Sequence, residues 1–427
     1  MYLSHTRATD RHAPRTGPRR TGPGRGRPGR GRSAVAPTVL ALGTVSLVTD
    51  ASAEMVTAVL PMYLVYGLGV GFLQLGALDG LYTGATALFR LGGGYLADRL
   101  DRPKAVATAG YALSALTRLG LPAMGTSAAG MGLMVAADRT GKGLRTAPRD
   151  ALITAAATEQ DLGRAFGVHR TMDTCGALLG PLLAFGVLAA VPGGYDTAFL
   201  VSFCLAAAGV VIMVCFVDGR LPAAAGERLR GLRDVPAALR QPEVRRCVWT
   251  TAVLGAFTVG DMTLFVALQQ RLDAPVAALP LLPLITAFVF MAAATPTGRL
   301  ADRIGRRQVF VRGHVLLACA YLFVLAAPCD GWPAVAVVLA LHGLFYAATD
   351  GVLMAYVAPH LPEQARTTGL AAVQSVQALC RALGAIAFGA LAAWQGLPLA
   401  FAVFAVGLGA ALAWLTLRPV PEQDSAR

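Results

Sequence analysis

Gly94-Tyr95-Leu96-Ala97-Asp98-Arg99, continuing through Leu100, Asp101, Arg102, Pro103 and Lys104, decides how this chain is read. The pattern returns 204 positions later as Gly298, Leu300, Ala301, Asp302, Arg303 and Arg306, with every interval kept. Each copy follows a long apolar run and precedes another. A charged turn repeated once per half divides the chain into two similar halves, and an internal repeat is the first constraint on architecture.

Composition sets the solvent. The 427 residues are 55% hydrophobic and only 14% charged, where a soluble domain carries about 25% charged residues. The chain therefore reads as a polytopic membrane protein. Its net charge of +13 is concentrated in the first 33 residues and in a few loops. Seven cysteines, at 175, 204, 215, 247, 319, 329 and 380, form no CxxC or Cys/His spacing. Most lie in apolar runs and read as small packing residues rather than disulfides or metal ligands.

Residues 1–33 are rich in Arg, Gly, Pro and Thr and have too little apolar content to bury a core, so disorder is expected. Gly24, Gly26 and Gly29 spell GxGxxG there, but no strand precedes and no helix pattern follows, so no phosphate cradle is implied. The tail reads as a topogenic segment or an early start codon rather than a nucleic-acid or lipid contact. From Pro37 onward, runs of the roughly 20 residues needed to cross a bilayer follow one another. Twelve are counted: 38–65, 71–98, 104–124, 128–150, 162–190, 196–217, 245–271, 276–302, 307–327, 332–358, 364–392 and 397–417.

The predicted organisation is a tail (1–33), a six-helix bundle (34–217), a polar linker (218–244), a second six-helix bundle (245–418) and a short tail (419–427). The linker holds Arg220, Arg228, Arg230, Arg233 and Arg240. On the same side fall Arg99, Arg102, Lys104, Arg164, Arg303, Arg306, Arg307 and Arg366, while the opposite loops offer little beyond Arg271. The positive-inside rule then puts both termini in the cytoplasm.

The repeated turn resembles the GxLADRxGRR signature between helices 2 and 3 of the major facilitator superfamily and its echo between helices 8 and 9. That resemblance implies an all-α fold of twelve transmembrane helices in two pseudo-symmetric bundles. It also implies that Gly94, Asp98, Arg99, Arg102, Gly298, Asp302, Arg303 and Arg306 form a conformational latch. The alternative is a solvated turn that only sets topology. In the first copy Asp101 stands where the family has Gly, and Pro103 where it has a basic residue.

Span 4 is the most unusual. Asp138, Lys142, Arg145 and Arg149 step by four, three and four, one face of a helix. A charge facing lipid at mid-membrane costs about 2.5–3.5 kcal/mol on insertion scales, so this stripe must face protein or water. Arg139, Lys142 and Gly143 resemble the superfamily's helix-4 pattern RxxQG, with Lys for Gln, in which the Arg is associated with proton coupling. The longer string DRxGKGxRxxPRDxL is similar to a branch of prokaryotic facilitators. On span 5, Gly167, Gly176, Gly180 and Pro181 resemble the helix-5 antiporter signature, with Ala184-Phe185 replacing its final Gly pair. Asp173, on the same span, is expected at the depth of Asp138, as a partner for Arg139 or Lys142.

Asp50 and Glu54 share a face of span 1, and Asp79 lies in span 2. Buried carboxylates of this kind either take up protons or pair with the span-4 bases. Asp138, Arg139, Lys142, Glu54, Asp79 and Asp173 thus form the proton-coupling candidates. In the second half, Gln374, Gln377 and Arg381 step by three and four, and with Asp50 and Asp261 they are the substrate-cavity candidates at the interface of the halves.

What the resemblance implies is a proton-coupled exporter of a small molecule working by alternating access. The alternatives are a nutrient importer or facilitator and a non-transporting receptor on the same fold. No HExxH, GxSxG or Cys/His cluster supports an enzyme. The expected partners are a small-molecule substrate, protons and the lipid bilayer of the cell's inner membrane. Neither nucleic acid, cofactor nor metal is expected, and the chain is expected to act as a monomer.

Overall fold

The computed structural model describes residues 36–100, 102–125, 127–157, 161–218, 242–271, 276–326, 331–361 and 366–417. The tails expected over 1–33 and 419–427 and nearly all of the expected linker lie outside them. So do the side chains of residues 90–99, which include Asp98 and Arg99 of the first motif copy.

The first half is six helices: α1 (Pro37–Met62), α2 (Phe72–Leu100), α3 (Pro103–Ala123), α4 (Ala128–Ala156), α5 (Leu162–Ala190) and α6 (Tyr195–Phe216). The second is α7 (Pro242–Ala256), α8 (Asp261–Arg271), α9 (Leu282–Ile304), α10 (Arg306–Ala326), α11 (Trp332–Val357), α12 (Arg366–Gln395) and α13 (Leu397–Leu417). With α7 and α8 forming one broken span, twelve spans result. Prolines open α1, α3 and α11, where the missing N–H is one the helix could not have used. Among the described residues nine segments qualify as membrane-crossing by length and apolarity, and α2, α3 and α4 do not. The exception is physical for α4: 29 residues are ample, but Asp138, Arg139, Lys142, Arg145, Arg149 and Asp150 lower its apolar content.

Alternate connections lie at opposite ends of the bundle. The end holding the repeated turns, 100–103 and 304–306, is called the motif end, and the other the far end. Within the first half, α1 packs on α5 and α6, and α4 on α2 and α3; within the second, α11 packs on α9 and α10. The halves meet chiefly where α2 runs against α12. A Cβ on Gly76 would stand 2.5 Å from the Ala385 carbonyl and one on Gly80 2.7 Å from that of Ala382, so glycine is what permits this approach. At the far end the Tyr66 hydroxyl bonds Gln269, and the 3-10 turn Val276–Leu281 packs against α5 and α1.

Two turns depart from a plain reading of the sequence. Span 7, expected to be continuous over 245–271, breaks at 257–260. The freed backbone is re-satisfied: Val259 N–H donates to the Tyr321 hydroxyl at 2.8 Å, and that hydroxyl donates to the Phe257 carbonyl at 3.3 Å. Broken helices inside a membrane require such partners. In the second motif copy, Gly305 caps α9 with φ +100°, a conformation that a residue with a Cβ rarely adopts. The first copy has Asp101 at that position, outside the described residues.

Candidate functional site

The predicted stripe on α4 becomes a ladder of ion pairs inside the first half. At the top, nearest the far end, the Asp138 carboxylate is held by two guanidinia: Arg118 from α3 at 3.3 Å and its chain neighbour Arg139. The Arg139 guanidinium stacks 3.9 Å from the centroid of Tyr82 on α2, whose hydroxyl shares a 2.7 Å hydrogen bond with Thr57 on α1. Arg118 also donates Nε–H to Ser52 of α1 at 2.7 Å and to Ser202 of α6 at 3.2 Å. Four helices thus converge on one buried side chain.

One turn along, Lys142 faces Glu54 of α1 at 3.9 Å, with the two side chains 32% and 28% exposed. Next, the buried Arg145 reaches Asp50 of α1 at 3.5 Å and lies over the ring of Tyr111, 4.6 Å from its centroid. At the bottom Arg149 binds Asp150 at 3.0 Å and lies 3.9 Å from Asp173 of α5, which also accepts from Ser46 at 2.8 Å.

The stripe therefore faces protein, as its charge demands, and Glu54 and Asp50 pair with span-4 bases. Asp173 does not pair with Arg139 or Lys142. It is eleven residues from the start of α5, whereas Asp138 is eighteen from the motif-side end of α4. At 1.5 Å rise per residue that is a depth difference of about 10 Å, so Asp173 meets Arg149 and Arg170 instead.

Asp79 lies elsewhere. It is buried where α2 crosses to the second half, and accepts the Thr263 backbone N–H at 3.2 Å and its hydroxyl at 3.4 Å. A carboxylate of one half thus caps the first turn of α8 in the other. A Cβ on Gly260 would collide with it.

The second half carries a smaller cluster. Asp261 opens α8, and its Oδ1 accepts from Tyr346 at 2.8 Å and pairs with His342 Nε2 at 3.1 Å. Arg381 of α12 binds Asp350 of α11 at 3.2 Å and lies 5.4 and 5.3 Å from the centroids of Phe345 and Tyr346. Gln377 is buried on the same helix. Gln374 lies one turn earlier in α12 and is partnered.

In the second motif copy, Asp302 bonds Arg306 at 3.3 Å, and Arg306 donates to the Ala355 carbonyl of α11 at 2.9 Å. Arg303 is exposed, and the space beside Gly298 is open. These bonds lie within the second half. Arg102 of the first copy is exposed. On α5, Gly176 and Gly180 press on the α1 backbone at Leu47 and Ala51, Pro181 is buried beside them, and nothing lies within 4 Å of a Cβ on Gly167.

Arg118, Tyr82, Ser52, Ser202 and His342 were not singled out by the sequence reading. Arg118 was findable, because a lone Arg in mid-span obeys the same rule as the span-4 stripe. The serines and Tyr82 carry no such signal.

Comparison with known proteins agrees with this architecture. The chain matches the Major Facilitator Superfamily over residues 42–295 and again over 262–427. It is 26% identical over 357 residues to an uncharacterised MFS-type transporter of Methanocaldococcus jannaschii, covering 81% of this chain and 86% of that one. Among solved structures it superposes on the nucleoside transporter NupG with a TM-score of 0.74 at 16% identity, covering 89% of this chain and all (100%) of that one. A POT family transporter in complex with 5-aminolevulinic acid gives 0.72 at 13% identity, over 91% and 97% of the two chains. With the family match spanning both halves and the twelve-span fold in place, the chain belongs to the major facilitator superfamily.

Proposed function

We propose that this membrane transporter exports a small molecule in exchange for protons, as a monomer in the cytoplasmic membrane with its motif end and both termini inside. The observation that carries the proposal is the Lys142–Glu54 rung. Its neighbours are closed: Asp138 lies between two guanidinia, and Arg145 is sealed against Asp50. Glu54 has one lysine at 3.9 Å, and both side chains are about a third exposed.

At an effective dielectric of about 20, opposite charges about 4 Å apart attract by roughly 4 kcal/mol. A shift of α1 against α4 within the first half, driven by the rocking of the halves, removes that attraction and leaves Glu54 without its base, where it recruits a proton. Return of Lys142 expels it. Arg139, fixed by Asp138 and Tyr82, positions the ladder rather than carrying the proton. The tight α1–α5 packing at Gly176 and Gly180, in the motif that resembles the antiporter signature, favours exchange over symport.

Respiring inside-out vesicles test the direction. Acridine orange reports the interior acid gradient, and an exported substrate is expected to restore its fluorescence in vesicles holding the wild-type protein but not Glu54→Gln. A substrate that instead moves together with protons in right-side-out cells would make the protein an importer.

A further inference from the structure

The carboxylates in the middle of the spans are almost all neutralised by a base. Asp50, Glu54, Asp138, Asp173 and Asp350 each lie within 4.0 Å of an Arg or Lys. Among the described residues, Asp79 and Asp261 do not. Asp79 is sealed between the halves with its donors from Thr263. Asp261 differs: its side chain is 46% exposed in the middle of a membrane protein. It stands at the break in the seventh span, next to Gly260, which packs against Asp79 of the first half.

Its partners are neutral. Tyr346 donates its hydroxyl. His342 is buried, and no acceptor among the described residues reaches its Nδ1. With the proton on Nε2 the ring donates to Asp261 and leaves Nδ1 an unpaired acceptor, whereas a doubly protonated ring would bury a charged N–H without a partner. The guanidinium nearest the cluster, Arg381, is bound to Asp350. Both neutral donors go to Oδ1, so Oδ2 remains to accept. Beside it the rings of Phe345, Tyr346 and His342 pack together, with Phe345 and His342 buried and Tyr346 partly exposed. Arg381 already lies against two of them, so these aromatic faces accommodate a cation.

We propose that Asp261 is the receptor for a protonated nitrogen of the transported molecule, so that the substrate is an organic cation with N–H donors. The carboxylate supplies charge and one accepting oxygen, the partly exposed Tyr346 ring supplies an apolar edge, and Tyr346 and His342 fix the orientation of the carboxylate. This rests on the transporter reading above but not on proton coupling, because it concerns equilibrium binding.

The test is thermal unfolding of the purified full-length protein at neutral pH against matched sets: aryl and alkyl amines, the alcohols of the same skeleton and the carboxylates of the same skeleton. 4-Phenylbutylamine, 4-phenylbutanol and 4-phenylbutyrate form one such set. Amines are expected to raise the melting temperature in a saturable way at concentrations where the alcohols and carboxylates do not. Asp261→Asn is expected to weaken amine binding at least tenfold, and Asp261→Glu to recover part of it. Amine binding unchanged in Asp261→Asn overturns the proposal, as does a series in which no amine binds. If Asp261→Asn fails to fold, the wild-type comparison decides: alcohols or carboxylates binding as tightly as the amines overturn it. Amine binding without proton-linked transport contradicts the coupling mechanism alone. Proton-linked transport of anions or neutral solutes contradicts this inference alone.

Discussion

Arg118 shows how much rests on single side chains here. Its guanidinium serves Asp138, Ser52 and Ser202 at once and is 2% exposed. Removing one member of a buried pair costs about 3–5 kcal/mol, so Arg118→Ala is expected to lower the melting temperature in detergent sharply. Arg118→Lys should recover little of it, because an ammonium cannot reproduce the fork that reaches three partners. Equal stability of Arg118→Lys and wild type would mean that the fork is dispensable. The α4 stripe was legible in sequence because its spacing repeats on one helical face. Arg118 has no such companion, and two of its three partners come from helices 66 and 84 positions away. Asp173 lies off the expected depth because α4 and α5 run in opposite directions, so similar counts from their first residues reach different levels.

Elements are positioned by glycine. A Cβ on Gly176 would strike the Leu47 carbonyl of α1, and one on Gly180 would sit 2.6 Å from that of Ala51. Forcing extra atoms into such contacts costs about 1–3 kcal/mol. Gly176→Ala is therefore expected to reduce both thermal stability and transport, while Gly167→Ala, in open space, leaves stability unchanged; the two melting curves check this. The break between α7 and α8 was not legible. Span 7 reads as one apolar run, and the break depends on Tyr321, 62 positions away, and on Asp79, 184 away. Gly260→Ala would drive a methyl group into the Asp79 carboxylate. It is expected to loosen the seam between the halves at α8, seen as greater alkylation of cysteines introduced there. Unchanged alkylation would mean that the cap does not hold the halves together.

For the whole molecule, the repeated turn announced two halves and the apolar runs announced twelve spans. The symmetry extends to bonds that no pattern displayed. Lys104, opening α3, donates to the Val214 carbonyl at the end of α6 at 2.9 Å, and Arg307, at the start of α10, to the Leu415 carbonyl at the end of α13 at 3.0 Å. A cation at a helix C-terminus is favourable, and here it ties the third span to the sixth in each half. The proposed orientation predicts that cysteines replacing Gly125, Gly193 and Trp394 react with an impermeant maleimide added outside intact cells, and that cysteines in the 218–244 linker do not. The inverse pattern would reverse the molecule in the membrane.

The central claim is that the open Lys142–Glu54 rung couples substrate movement to protons. Its most direct measurement uses proteoliposomes with a substrate identified by the binding series. Accumulation driven by an imposed pH gradient is compared with exchange of labelled for unlabelled substrate without a gradient. Glu54→Gln is predicted to abolish gradient-driven accumulation while exchange persists within a few-fold of wild type. Gradient-driven accumulation by Glu54→Gln at the wild-type rate would contradict the account and move the coupling site off the α4 ladder.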